Sequence, residues 1–134
     1  MKEIHELNLP DDVRYAEDHE WAKPMEDRVR IGISDYAQEQ LGDITYVELP
    51  DVDATFATGD QFGTLESTKA VADLFMPVAG EVVAVNTTLG EAPELVNQSP
   101  YDEGWLVEVK PDDPARLGEL MTRDAYRVML EGID

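Results

Sequence analysis

The sequence predicts a mainly β protein, a barrel or a sandwich, whose strands are short. One observation behind this prediction is a series of brief segments, β-branched or aromatic in part, with turn residues such as Pro and Gly between them. Another is the length of 134 residues, which fits one domain with a single core. Many short strands separated by turns are typical of all-β barrels and sandwiches. The predicted strands cover residues 28–33, 44–49, 61–67, 71–76, 81–85 and 105–110.

Local patterns predict each element in turn. Residues 1–12 are expected to form a loosely held lead-in to the domain. In segment 28–33, Val29, Ile31 and Ile33 occupy alternate positions, which is the period-two pattern of a half-buried strand. Ser34 is a good N-cap for a short helix near 34–41, and Gly42 supplies its C-terminal stop.

The C-terminal segment, residues 113–131, changes to a helical period. Asp113 followed by Pro114 is a typical cap and first-turn pair, and an apolar stripe follows at positions 117, 120 and 121. Thr122 can cap a second helix, in which Tyr126 and Leu130 belong to a similar stripe. We therefore expect two small C-terminal helices that pack on the β core of a single domain, residues 1–134.

The charge balance excludes two classes of partner. Ten Lys and Arg against thirty Asp and Glu give a formal net charge of −20, and such a surface repels nucleic-acid phosphates and anionic lipid headgroups. Neither nucleic acid nor a membrane is therefore an expected partner. Because the N-terminus lacks a signal or transit pattern, we expect a bacterial cytoplasmic location. The chain has no cysteine, which excludes disulfides and cysteine nucleophiles.

Conventional catalytic groups are scarce in this sequence. His19 and Glu20 are adjacent, and adjacent residues of a strand point to opposite faces, so we expect no metal site there. The chain contains no nucleophile elbow, Walker loop or dinucleotide-binding glycine motif. Acidic doublets arise by chance among thirty carboxylates and are interpreted as solvated surface. No catalytic residue is predicted.

Lys69 is the residue that pattern alone singles out. It lies between the predicted strands 61–67 and 71–76, so it stands at or beside the tip of a hairpin if these two strands pair. A lysine at that position is exposed and rigidly presented, as a covalently attached swinging arm requires. Pattern alone favours the other interpretation, a surface lysine that protects a turn or a sheet edge, which is a common use of lysine.

A series of motifs gives the chain a resemblance to a known family. Glu66-Ser67-Thr68-Lys69-Ala70 resembles the lysine hairpin of lipoyl and biotinyl carrier domains, although biotin carriers usually place methionines beside the lysine. Further blocks between about Tyr15 and Leu130 resemble, in order, the H-protein family of the glycine cleavage system. These blocks are Asp18-His19-Glu20-Trp21, residues 32–43, Val47-Glu48-Leu49-Pro50, Pro93-Glu94-Leu95-Val96-Asn97, Ser99-Pro100-Tyr101 and Gly104-Trp105.

The resemblance implies a fold, a cofactor and a set of partners. The fold would be the barrel-sandwich hybrid of lipoyl and biotinyl carriers, with lipoate amide-linked to Lys69. The chain would carry an aminomethyl group from the P protein (glycine decarboxylase) to the T protein (aminomethyltransferase), and the L protein (dihydrolipoyl dehydrogenase) would reoxidise it. A lipoate ligase or a lipoyl or octanoyl transferase would attach the arm. The protein would be a carrier without catalytic activity of its own, because the dithiolane supplies the chemistry.

The resemblance also implies roles for individual residues. Glu20 and Asp73 would receive the amine of the loaded arm in a surface cleft through charge-assisted hydrogen bonds, with Asp18 and Gln40 as further candidates. Ordinary surface carboxylates are the alternative interpretation of Glu20 and Asp73. Glu66 would help the lipoylating enzyme to recognise the hairpin. Packing or polar anchoring, rather than direct chemistry, is expected of His19, Trp21, Tyr36 and Trp105.

Other functions are open at this stage. A lipoyl or octanoyl relay protein would show the same hairpin without stimulating glycine decarboxylation. An acidic interaction module could keep the fold and lack the arm. An enzyme with its own active site is the remaining hypothesis.

Overall fold

The computed structural model describes residues 3–133 and consists mainly of short antiparallel strands, with three α-helices and three 3-10 turns in the described part. The strands are β1 (Arg14–Tyr15), β2 (Glu20–Pro24), β3 (Val29–Ile33), β4 (Ile44–Glu48), β5 (Thr55–Phe56), β6 (Gln61–Ser67), β7 (Val71–Phe75), β8 (Gly80–Val85) and β9 (Val107–Pro111). The helices are α1 (Asp35–Leu41), α2 (Leu95–Gln98) and α3 (Arg123–Ile133), and the 3-10 turns are Ile4–Glu6, Thr87–Gly90 and Pro114–Glu119.

The strands form two sheets around a common core. Six strands pair in the order β1-β2-β3-β9-β8-β5, and three pair in the order β4-β6-β7. Both sheets contribute to one apolar cluster, which includes Ile31 and Val109 from the larger sheet and Leu65 from the smaller one. Side chains that alternate along a strand place one face in such a core and the other in solvent. The prediction of a mainly β fold is confirmed.

All six predicted strands are present, one with its predicted bounds and five with an end shifted by one or two residues, and three further strands were not predicted. Strands β1 and β5 have two residues each, which is too short to show a period. Strand β2 buries Glu20, Trp21 and Ala22 in succession, so its sequence does not alternate. Periodicity identifies strands with one face in the core and overlooks those with both faces covered.

The short helix α1 forms as its capping residues predict. The backbone N–H of Ala37 donates to the Ser34 side chain at 3.2 Å. At the other end, Gly42 takes a φ of 75° and its N–H donates to the Gln38 carbonyl. A positive φ of this kind is the conformation that favours glycine after a helix.

The C-terminal segment contains two helical elements, of which the first is a 3-10 turn, Pro114–Glu119, rather than an α-helix. Asp113 caps this turn by accepting from the N–H of Ala115. Thr122 accepts from the N–H of Ala125 and precedes α3. The buried residues of α3 are Tyr126 and Leu130, as its apolar stripe predicts, and the ring of Tyr126 stacks on Tyr15 at 4.4 Å.

The lead-in is held more closely than the sequence predicts over its described residues, 3–12; positions 1 and 2 lie outside the described residues. Leu9 is buried and its carbonyl accepts from the Arg123 side chain. The N–H of Asn8 donates to the Asp35 carboxylate at 2.8 Å, and the Pro10 carbonyl accepts from the Tyr15 hydroxyl. The contacts of Asn8 with Asp35 and of Leu9 with Arg123 join distant parts of the chain, which local pattern cannot reveal.

Candidate functional site

Lys69 lies in the turn between β6 and β7. The two strands pair from Gln61↔Phe75 to Glu66↔Val71, and the N–H of Ser67 donates to the Ala70 carbonyl at 2.8 Å. The Ser67 side chain accepts from the N–H groups of Lys69 and Ala70, at 3.2 and 3.0 Å. Thr68 donates to the Asp43 carbonyl. This turn therefore holds the Lys69 backbone in one position.

The side chain of Lys69 is exposed. No ion pair or hydrogen bond within residues 3–133 involves its ammonium group. Its aliphatic part lies over Gly42, where a Cβ would stand 3.2 Å from the Lys69 Cε. The absence of a side chain at Gly42 leaves room for the lysine, and the amine stays accessible to another protein. The predicted hairpin position of Lys69 is confirmed by this geometry.

Glu66 faces solvent three residues before the lysine. In the smaller sheet it stands between Tyr46 of β4 and Val71 of β7, which are its direct cross-strand partners. Its carboxylate has no partner within the part of the chain that the structure describes. Glu66 is therefore available for contact with another molecule.

Glu20 opens strand β2 and is only 2 % exposed. Its Oε2 accepts from the N–H of Phe75 at 3.3 Å, whereas its Oε1 is buried without a hydrogen-bond partner among the described residues. The pKa of this carboxyl is raised to about 10, mainly by burial and next by a side-chain hydrogen bond with Asp18 and the charge of Asp18, while the Phe75 N–H opposes the rise. The raised pKa favours the protonated form of Glu20. Its burial shows that the interpretation of Glu20 as an ordinary surface carboxylate is wrong.

The other candidates for the cleft are exposed. Asp73 projects from β7 and accepts from the Gln61 side chain at 3.2 Å. Asp18 precedes β2 and lines a cleft of about 570 Å³. Gln40 lies near the C-terminal end of α1, two residues before Gly42. The contacts of the described residues bring Glu20 together with Asp18 and with the end of β7.

The cleft opens where β7 ends. Met76 and Pro77, which directly follow β7, form one wall, and Glu17 and Asp18, which precede β2, form another. Arg116 and Glu119 lie on the side of the 3-10 turn that follows β9. The charged residues of the lining are three carboxylates, Glu17, Asp18 and Glu119, and one cation, Arg116. This balance favours a cationic group over an anionic one.

No metal site is found where His19 and Glu20 are adjacent. Within residues 3–133 no group of three or more His, Asp or Glu side chains could hold a metal ion. His19 has a φ of 79° and therefore sits in a turn rather than in the strand. Its Nδ1 lies 2.8 Å from the Tyr126 hydroxyl, and burial lowers its pKa. His19 is an anchor between β2 and α3.

The aromatic residues of the sequence motifs also serve in packing. Trp21 is fully buried and its indole N–H donates to the Pro100 carbonyl at 3.0 Å. The ring of Tyr36 lies 4.8 Å from that of His19. The guanidinium of Arg30 lies 5.0 Å from the centre of the Trp105 ring. The expectation of packing and polar anchoring for His19, Trp21, Tyr36 and Trp105 is confirmed.

Sequence reasoning did not identify two features of this region. It gave no role to the backbone N–H of Phe75, because a backbone donor leaves no signature in side-chain pattern. It placed Tyr126 only in an apolar stripe, although the Tyr126 hydroxyl contacts both His19 and the Ser34 side chain. A tyrosine within a buried stripe predicts a buried hydrogen bond, since its hydroxyl requires a polar partner.

Comparison with known proteins identifies the family. A family model described as the glycine cleavage H-protein matches residues 13–133. A glycine cleavage system H protein from Anaeromyxobacter sp. (strain K) is 47 % identical over 125 residues, covering 93 % of this chain and 98 % of the relative. The protein of the same name from Chlorobium phaeobacteroides (strain BS1) is 52 % identical over 122 residues, covering 90 % and 96 %.

A solved structure agrees with these relatives. The crystal structure of a glycine cleavage system H protein from Mycobacterium marinum superposes with a TM-score of 0.82 at 39 % identity, covering 92 % of this chain and 99 % of that one. The predicted barrel-sandwich fold of lipoyl carriers is thereby confirmed. No helix among the described residues is long and apolar enough to cross a membrane. The chain belongs to the glycine cleavage H-protein family, and it is a non-catalytic lipoyl carrier component of the glycine cleavage system.

Proposed function

We propose that Lys69 is the residue that carries the lipoyl group, in an amide bond to its Nζ. The single observation that carries this proposal is the geometry of the β6–β7 turn, which holds the Lys69 backbone through Ser67 and leaves the ammonium exposed and unpaired within residues 3–133. Within residues 3–133, no ion pair of Lys69 has to break and no core side chain has to move when an acylating enzyme takes up this amine.

Attachment is a condensation that a separate enzyme, a lipoate ligase or a lipoyl or octanoyl transferase, must activate. The Nζ amine, after loss of a proton from the ammonium, attacks the carbonyl carbon of an acyl adenylate or an acyl thioester. The N–C bond forms, the bond from carbon to the adenylate oxygen or the thioester sulfur breaks, and AMP or the thiol leaves. The chain loses one positive charge, so its formal net charge changes from −20 to −21.

When bound, the lipoyl group supplies a disulfide that accepts the aminomethyl remnant of glycine and is reduced as it does so. We expect the chain to carry this remnant from the P protein to the T protein and to be reoxidised by the L protein. Its matching relatives come from bacteria, and we place the carrier in the bacterial cytoplasm. The high negative charge favours partners whose docking faces are basic.

The residues around Glu20 fit the amine of a loaded arm. The Oε1 of Glu20 is buried and lacks a partner among the described residues. An ammonium group there would donate to Oε1 and favour the ionised form of the carboxyl. Asp18 at the cleft and Asp73 on β7 add negative charge on the exposed side. Gln40 is our fourth candidate for this contact, because it lies close in the chain to Gly42 beneath Lys69. Binding at Glu20 would exclude water from the amine, since the carboxyl is almost fully buried.

Intact-mass measurement tests the assignment of Lys69. The purified chain, incubated with a lipoate ligase, lipoate and ATP, is expected to gain one lipoyl increment, and Lys69→Arg is expected to gain none. Lys110→Arg is the matched control, because Lys110 is also exposed but lies in β9. Acylation of Lys69→Arg, or loss of acylation in Lys110→Arg, would overturn the assignment. Stimulation of glycine decarboxylation by the acylated chain separates the proposed shuttle from a lipoyl relay.

A further inference from the structure

The outer face of the smaller sheet carries an unusual row of side chains beside Lys69. Tyr46 of β4, Glu66 of β6 and Val71 of β7 stand directly opposite one another in the strand register. Tyr46 is 52 % exposed and Val71 is 66 % exposed, and the charge of Glu66 lies between them. We call these three residues the hairpin row.

The neighbouring positions show that the hairpin row belongs to a solvent-facing surface. The next outward row consists of Glu48, Thr64 and Asp73, which are again in direct register. The inward row between them consists of Val47, Leu65 and Ala72, of which Leu65 is fully buried. Side chains alternate across the sheet in this way, so the apolar residues of the hairpin row are not part of the core.

The hairpin row combines the features of a contact surface. It places one apolar side chain on each side of the Glu66 carboxylate. The next outward row adds two further carboxylates, Glu48 and Asp73. Tyrosine is enriched in protein–protein interfaces, and polar or charged groups stand at their rim. The charge pattern fits a partner that brings a basic side chain to Glu66 and apolar side chains to Tyr46 and Val71.

We propose that the hairpin row is the surface that the acylating enzyme covers when it takes Lys69 into its active site. This inference rests on the proposed function and extends it from the lysine to the apolar residues that flank Glu66. The partner is a protein with an apolar recess on each side of an Arg or Lys.

The position of the hairpin row favours the acylating enzyme over the enzymes that use the finished arm. Forming the amide requires the Nζ atom itself to enter an active site, so the surface next to the turn must lie against the enzyme. Val71 is only two residues from Lys69, and Glu66 only three. Enzymes that act on the dithiolane reach the far end of the arm and do not need this contact.

Serine substitutions on the row test the inference. We expect the double variant with Tyr46→Ser and Val71→Ser to lower kcat/KM for acylation by a purified lipoate ligase by about tenfold or more. Glu66→Lys should lower it by a similar factor through charge repulsion. The matched control is the double variant with Val52→Ser and Val128→Ser, whose residues are 46 % and 67 % exposed elsewhere on the surface. The control should stay within about twofold of wild type.

Thermal unfolding followed by circular dichroism checks that every variant is folded. If wild type is acylated and the row variants match it, the hairpin row is not the docking surface, and Lys69 keeps its proposed role. If the row variants are acylated normally but slow glycine decarboxylation once loaded, the row serves another enzyme, and the inference is also overturned. If wild type itself gains no lipoyl group, the proposed function fails together with the inference.

Discussion

The two ends of strand β7 hold ionisable groups in opposite environments. At the start of β7, Lys69 is exposed, and its ammonium is unpaired within the described chain. At its end, the N–H of Phe75 donates to Glu20, a carboxyl that is almost fully buried and has one oxygen without a hydrogen-bond partner in residues 3–133. Strand β7 thus connects the exposed ammonium of Lys69 with the buried carboxyl of Glu20.

The difference shows what it costs this fold to place a polar group in water or in the core. An exposed lysine costs little, because water solvates its charge. A buried carboxyl without full hydrogen bonding costs free energy and persists in a structure only if something offsets it. The cost at Glu20 supports the proposal that this carboxyl receives the amine, and the exposed ammonium of Lys69 supports the proposal that the arm is attached there.

The largest expected effect on stability is at Glu20. Its pKa is raised in the folded chain, so between its unfolded value near 4.5 and its folded value near 10 the folded state binds more protons than the unfolded state. The free energy of unfolding therefore falls as pH rises through this window, by at most about 1.4 kcal/mol per pH unit from this group. Glu20→Gln should remove this slope and raise the melting temperature at pH 8.

Thermal unfolding of both proteins at a series of pH values from 5 to 9 checks this prediction. Glu17→Gln is the matched control, because it removes a neighbouring negative charge at an exposed position. The control should follow the wild-type pH dependence. Parallel curves of melting temperature against pH for Glu20→Gln and wild type would contradict the prediction, because they would show that Glu20 is ionised in the folded protein.

A smaller effect is expected at Ser67, which holds the turn. Its side chain accepts from two backbone N–H groups, those of Lys69 and Ala70, and itself donates to the Ala70 carbonyl. Ser67→Ala should lower the free energy of unfolding by about 0.5–1.5 kcal/mol and slow acylation as the lysine becomes less well positioned. Chemical denaturation and ligase kinetics measure the two effects. A variant as stable as wild type would mean that water replaces these hydrogen bonds without loss.

The smallest effect on stability is expected at Lys69 itself. Lys69→Gln removes the charge, as acylation does, and no ion pair within residues 3–133 is lost with it. The free energy of unfolding should stay within about 0.5 kcal/mol of wild type, as chemical denaturation would measure. A larger change would mean that the lysine contributes to the fold, which would weaken the contrast between the two ends of β7.

Elements with local signals could be predicted from the sequence, and the elements that depend on distant contacts could not. Ser34 and Gly42 bound helix α1 because capping is a local interaction, and the hairpin around Lys69 follows from two adjacent strand patterns. The burial of Glu20 was not predictable in this way. It arises where β2 meets the end of β7, 55 residues away in the chain.

The lead-in and the C-terminal segment show the same limit. The attachment of Leu9 depends on Arg123 at the opposite end of the chain. The stripe at positions 117, 120 and 121 predicts a helical turn but does not separate a 3-10 turn from an α-helix. Short helical segments of both kinds place apolar residues three positions apart, so the distinction came only from the hydrogen bonds.

Glycine–bicarbonate exchange with a purified P protein tests the central claim most directly. The chain acylated with lipoate is expected to support rapid exchange. The unmodified chain and Lys69→Arg, taken through the same ligase reaction, should leave exchange near the rate of the P protein alone. Equal exchange with Lys69→Arg and with the acylated wild type would contradict the account, because the arm at Lys69 would then not be what the P protein uses.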